Sequence, residues 1–134
     1  MVLPDTSVWV DFSRRGARGK AAALRDLLDA GEVATCGPVV AELLAGADGV
    51  VAERMWEMLS SLRWAELDPA GWRQVGSTAH RLRVAGTALP LTDLTIAVAS
   101  ARAGHSLWSF DGDFERIAPV LEGLELYEPA SSSG

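Results

Sequence analysis

Apolar residues along the chain fall into short runs that alternate with longer stretches of helical period. Residues 1–4 predict a first strand, which ends at Asp5-Thr6-Ser7, with Thr6 placed to cap a short helix through about Arg14. Gly16 and Gly19 bracket a flexible connection. Residues 20–30 carry leucines at 24, 27 and 28 with Arg25, Asp26 and Asp29 between them, an amphipathic helix stopped by Gly31. A strand is expected over 32–36. Pro38 then opens a helix over 38–45, with Val39, Val40, Leu43 and Leu44 as its apolar side. Helices over 50–62 and 70–85 flank a short strand near 65–67. Residues 91–103 are apolar on nearly every side, which predicts a helix at the centre of the molecule. A strand over 107–110, a helix over 111–121 opened by an aspartate cap, and a strand over 124–127 complete the pattern. Strands separated by helix-bearing segments imply an α/β fold, a three-layer α/β/α sandwich around a mainly parallel sheet of four or five strands. Pro4 fits only at the last residue of its strand, because it lacks a ladder donor.

The length of 134 residues suits one domain, expected over 1–128, with a disordered tail at 129–134. Hydrophobic residues make up 49% of the chain, so it can bury a core. A lone cysteine, Cys36, leaves no disulfide or zinc spacing and is expected as a small buried hydrophobe in a reducing, cytoplasmic setting. No stretch reads as a signal peptide or a membrane span. Twelve basic residues against eighteen acidic give a net charge of −6, which does not steer the whole molecule toward nucleic acid. The basic residues are uneven, however. Arg14, Arg15, Arg18 and Lys20 crowd one segment, and Arg81 with Arg83 form a smaller group. A cationic rim around an acidic pocket is compatible with this charge.

In open α/β sheets the reactive crevice lies past the carboxyl ends of the strands. Asp5 follows the first predicted strand, and Asp111 follows the strand at 107–110, with Asp113 two residues on. Asp93 stands in the first turn of the apolar helix after a plausible cap at Thr92, and Glu42 sits among apolar neighbours in VVAELLAG. Asp5, Glu42, Asp93 and Asp111 have an apolar sequence context, whereas Asp26, Asp29, Glu53, Glu57, Glu66 and Glu115 fall on predicted solvent faces. Converging carboxylates repel one another unless a cation joins them, and oxygen-only ligands favour Mg²⁺ or Mn²⁺ over zinc. Such a cation suits hydrolysis of a phosphodiester. Asp5 and Asp111 also fit as helix caps, Asp93 as a first-turn acid favoured by the helix dipole, and Asp111–Asp113 as a turn.

DTSVWVDF at 5–12, AELLAG at 41–46, LPLTDLTIAVAS at 89–100 and WSFDGDFERI at 108–117 together resemble the PIN-domain ribonucleases, specifically the toxin half of VapBC-type toxin–antitoxin pairs. The resemblance spans nearly the whole chain and rests on the order and spacing of these segments. It implies a metal-dependent endoribonuclease whose metal ligands are Asp5, Glu42, Asp93 and Asp111, with Asp113 as a neighbour acting through water. Thr6 and Ser7 stand where hydroxyls support the first acid, and Ser109 where Ser or Thr precedes the fourth. It further implies an RNA substrate, a homodimer, and an antitoxin whose C-terminal segment blocks the site. Arg14, Arg15, Arg18 and Lys20 are candidates for RNA phosphate contacts. Two alternatives stand beside it: a non-catalytic interaction domain on the same scaffold, and an aspartyl-phosphate phosphotransfer enzyme. The second needs a strand-end lysine, and the only lysine is Lys20. The tryptophans at 9, 56, 64 and 72 are expected in packing or a partner groove, and His80 and His105 as ordinary helix and turn residues.

Overall fold

The computed structural model describes residues 1–130; of the tail expected to be disordered, 131–134 lie outside the described residues. Five short strands, β1 (Val2–Pro4), β2 (Ala34–Thr35), β3 (Arg63–Trp64), β4 (Ser106–Trp108) and β5 (Glu125–Leu126), are all paired in parallel. β1, β4 and β5 form one sheet and β2 and β3 another, and a parallel bridge between Val2 and Val33 joins them. The resulting order is β3-β2-β1-β4-β5. The chain winds one way from β1 to β3, then returns to the opposite side of β1 for β4 and β5. The direction therefore reverses between β1 and β4, and a crevice opens there past the strand ends.

Seven helices connect the strands: α1 (Thr6–Arg15), α2 (Leu24–Asp29), α3 (Gly37–Ala45), α4 (Gly49–Ser60), α5 (Pro69–Val84), α6 (Leu91–Ala103) and α7 (Asp113–Ile117). With the right-handed crossovers that parallel strands favour, α1–α4 fall on one face and α5–α7 on the other. Most of the packing agrees, since α3 touches α1 and α4 while α6 touches α5 and α7, and α3 and α6 meet beyond the short strands. This is the expected α/β/α sandwich. Helix α6 is its central element: all seven residues from Leu94 to Ser100 are buried, among them Leu94, Ile96 and Val98. Pro4 ends β1 opposite Trp108, and the next residue, Asp5, donates its backbone N–H to the Trp108 carbonyl at 2.8 Å. Cys36 is buried, and desolvation pushes its thiol up to about 11, so it behaves as an apolar residue. Trp9 is core, whereas Trp56 and Trp72 are exposed.

Several local expectations shift. The cap of α1 is Asp5, not Thr6: the Asp5 carboxylate accepts the Val8 N–H at 3.2 Å. Helix α6 begins directly after Pro90, so Thr92 lies within its first turn and caps nothing. The predicted 111–121 helix is a five-residue α7 followed by a 3₁₀ turn at Ala118–Val120, where Pro119 removes a helical donor. Asp111 does not cap α7. It closes the preceding turn by accepting the Asp113 N–H at 3.0 Å. The third strand lies at Arg63–Trp64 rather than 65–67, with Ala65 adding one further ladder bond to Thr35.

Candidate active site

At the β1/β4 crevice, Asp5 is the buried acid, with 6% of its surface exposed. Burial raises its pKa, opposed by hydrogen bonds from Ser109, Ser7 and the Val8 amide. The two serines are arranged alike. Ser7 donates to Asp5 Oδ1 at 2.5 Å and accepts the Phe110 N–H at 3.1 Å; Ser109 donates to Oδ2 at 2.5 Å and accepts the Asp111 N–H at 2.9 Å. Each hydroxyl thus relays a backbone N–H from the β4–α7 loop onto one oxygen of the buried carboxylate. The loop that carries Asp111 and Asp113 is fixed against Asp5 by these two relays.

Asp93, half-buried in the first turn of α6, approaches the same loop. Carboxylate oxygens of Asp93, Asp111 and Asp113 all lie within 4.8 Å of one another. Burial first, then the charges of Asp111 and Asp113, a hydrogen bond with the Asp113 carboxyl and the charge of Asp5, push the Asp93 pKa up to about 6. An oxygen-only cluster held this close, with one member reluctant to ionise, has the donor set that a hard divalent cation satisfies.

Glu42 belongs to the neighbouring wall. It accepts a hydrogen bond from Thr6 Oγ1 at 2.9 Å. Thr6 therefore steadies Glu42, not Asp5 as expected, and Ser7 alone of the pair supports the first acid. Glu42 and Asp111 are exposed despite their apolar sequence neighbours. On α3, Val39, Val40 and Leu43 point into the core, and the helical turn directs Glu42 well away from that face. Thr6, Arg14, Glu42 and Met55 line a groove of about 430 Å³ between α1 and α3–α4.

A family description, PIN domain, matches residues 2–119. The chain belongs to the PIN-domain family. This PIN domain is also VapC-like. "VapC ribonuclease Mb1587" of Mycobacterium bovis and "Ribonuclease VapC11" of Mycobacterium tuberculosis are each 31% identical to it over 125 residues, covering 90% of this chain and 93% of the relative. Solved structures share its fold. VapBC-1 from nontypeable Haemophilus influenzae superposes with a TM-score of 0.74 at 18% identity, covering 96% of this chain and 98% of that one. DNA-bound VapBC from Salmonella typhimurium gives 0.73 at 20% identity, covering 94% and 96%.

The structure thus brings Asp5, Asp93, Asp111 and Asp113 to one crevice, with Glu42 on its α3 side. Asp113 is a member of the carboxylate cluster alongside Asp93 and Asp111. The sequence signal for it was the Asp-Gly-Asp spacing, which a tight turn folds so that both carboxylates face Asp93. The basic candidates Arg14, Arg15, Arg18 and Lys20 are all exposed. Asp11 anchors their segment, accepting the Ala21 N–H at 2.9 Å and pairing with Arg15 at 3.9 Å. Among the described residues, no helix is long and apolar enough to cross a membrane.

Proposed function

We propose that the 1–128 domain is a cytoplasmic Mg²⁺- or Mn²⁺-dependent endoribonuclease, the toxin of a toxin–antitoxin pair, acting through Asp5, Glu42, Asp93 and Asp111 with Asp113 beside them. The observation that carries this reading is the packing of Asp93, Asp111 and Asp113 within 4.8 Å, next to the buried Asp5, at the reversal point of a parallel sheet. The ribonuclease names of relatives at 31% identity support the same chemistry. The aspartyl-phosphate alternative finds no support, because Lys20 lies in the loop before α2, away from every strand end.

Asp5, Asp93, Asp111 and Asp113 would hold the cation, with Glu42 reaching it from α3. Bound there, a divalent ion would supply charge that offsets the phosphate and would lower the pKa of a bound water. The chain's own residues perform the rest. The serine relays oppose the burial that raises the Asp5 pKa and orient its carboxylate, and the Asp111 turn sets the spacing of the Asp111 and Asp113 carboxylates. Arg14, Arg18 and Lys20 supply exposed positive charge for RNA phosphates from the C-terminal end of α1 and the segment after it, with Arg15 partly neutralised by Asp11. The groove between α1 and α3–α4 receives the C-terminal segment of the antitoxin, and a cationic side chain from it approaches Glu42. Two copies of the chain form a homodimer.

Purified protein is expected to cleave RNA with Mg²⁺ or Mn²⁺, to stop when a chelator removes the ion, and to resume when either is restored. Cleavage that persists in chelator excludes the carboxylate–metal mechanism. Asp93→Asn is expected to lose nearly all cleavage while remaining folded.

A further inference from the structure

The last turns of α5 carry His80, Arg81 and Arg83, and the loop after α5 leads to α6 and Asp93. His80 and Arg83 border a cleft of about 260 Å³ whose other walls include Gly76, Ala79, Leu89 and Leu94. Arg83 Nη2 lies 3.2 Å from His80 Nδ1. A guanidinium has only donors, so Nδ1 accepts and the ring proton sits on Nε2. The pair therefore offers donors alone: the imidazole Nε2–H and the remaining guanidinium N–H groups.

No carboxylate lines this cleft, and among the described residues Arg83 forms no ion pair. The other arginine-bearing hollows differ. The groove at Arg14 contains Glu42 and Asp48, and the one at Arg63 and Arg102 contains Glu66 and Asp68. Positive charge is thus left unmatched at His80–Arg83. The cleft's apolar walls, with open space above Gly76, suit a ribose or base beside a phosphate. Leu94, in its wall, directly follows Asp93 of the acidic cluster.

We propose that His80 and Arg83 bind a backbone phosphate of the RNA outside the acidic crevice, with the adjoining nucleoside lying on the partly exposed Ala79 and Leu89. This rests on the ribonuclease reading and adds to it a second patch of substrate contact, on α5 rather than on the Arg14–Lys20 segment. An arginine at a helix C-terminus also favours the helix dipole, but that role needs neither His80 nor a cleft.

The test is anisotropy of a labelled single-stranded oligoribonucleotide bound to the full chain in chelator, over a range of salt concentrations. Arg83→Ala and His80→Ala are expected to weaken binding alike for unrelated sequences. Arg83→Ala is also expected to lower the slope of log affinity against log salt by about 0.7. Arg54→Ala, an exposed change on α4, should bind as the parent does. If the parent binds and cleaves RNA while both cleft variants keep its affinity and slope, the phosphate site is overturned and the ribonuclease reading stands. A lowered melting temperature with unchanged binding assigns the pair to the helix terminus and overturns it equally. A parent protein that neither binds nor cleaves RNA ends both readings.

Discussion

Asp93→Asn in the metal-free protein is expected to make the fold more stable at neutral pH, although it removes a charged residue from the first turn of a helix. The Asp93 carboxyl is raised from 3.8 to about 6 by burial and by Asp111, Asp113 and Asp5. Below pH 3.8 it is protonated in both folded and unfolded chains. Between pH 3.8 and 6 the unfolded chain loses its proton while the folded one retains it, so stability falls as pH rises, and it levels off above 6. A displacement of about two units corresponds to about 3 kcal/mol. Because Asp93 is only half-buried, solvent screening reduces this to about 1–2 kcal/mol. Asparagine carries neither the desolvation cost of a charge nor the repulsion, so its advantage should be near zero at pH 4 and reach the full value above pH 6.5. Urea denaturation in chelator, run on both proteins from pH 4 to 8, measures this directly. Addition of Mg²⁺ or Mn²⁺ should then stabilise the parent, by an amount that grows with the logarithm of ion concentration, and leave the variant nearly unchanged. An asparagine variant less stable than the parent at pH 7.5, or a difference independent of pH, refutes the repulsion argument. Either result makes Asp93 an ordinary first-turn acid favoured by the helix dipole.

Ser109→Ala and Ser7→Ala should each cost about 1.5–3 kcal/mol at pH 7, because each strips a donor from a buried carboxylate and frees a loop amide. Their effects should diminish at low pH once Asp5 is protonated, and equal losses at pH 4 and pH 7 would contradict the relay. Gly71→Ala should lower stability by about 1–3 kcal/mol, since a Cβ there would lie 2.9 Å from Leu67 Cδ2 and 3.2 Å from Arg102 Nε. A thermal melt detects it, and an unchanged midpoint would mean that Leu67 swings clear at no cost.

The elements with a strong period were legible in the sequence. Helix α6 was marked as central by apolar residues on every side, because no other placement hides them all from water. The alternation of strands and helices fixed the fold class, and the acids after the first and fourth strands were placed at one sheet edge by topology alone. The finer expectations that shifted share one cause: they depended on which neighbour a polar group meets. Asp5 competes with Thr6 for the α1 cap and wins, because its carboxylate reaches the Val8 amide while Thr6 meets Glu42 from α3, thirty-six residues away. Glu42 stands among hydrophobic letters yet faces solvent, since adjacent residues on a helix point about 100° apart.

Local periodicity thus determined what this chain had to bury, and so its layers and the set of acids left near the sheet edge. Only the tertiary structure decided how those acids are held. The relays from Phe110 and Asp111 through Ser7 and Ser109 to Asp5 join residues more than a hundred positions apart. The same holds for Asp93, whose pKa is raised first by its burial in the fold and then by carboxylates distant in sequence. Burial follows from a residue's own chemistry and its period. Hydrogen bonding and electrostatic repulsion act over a few ångströms, between groups whose approach depends on the path of the whole chain.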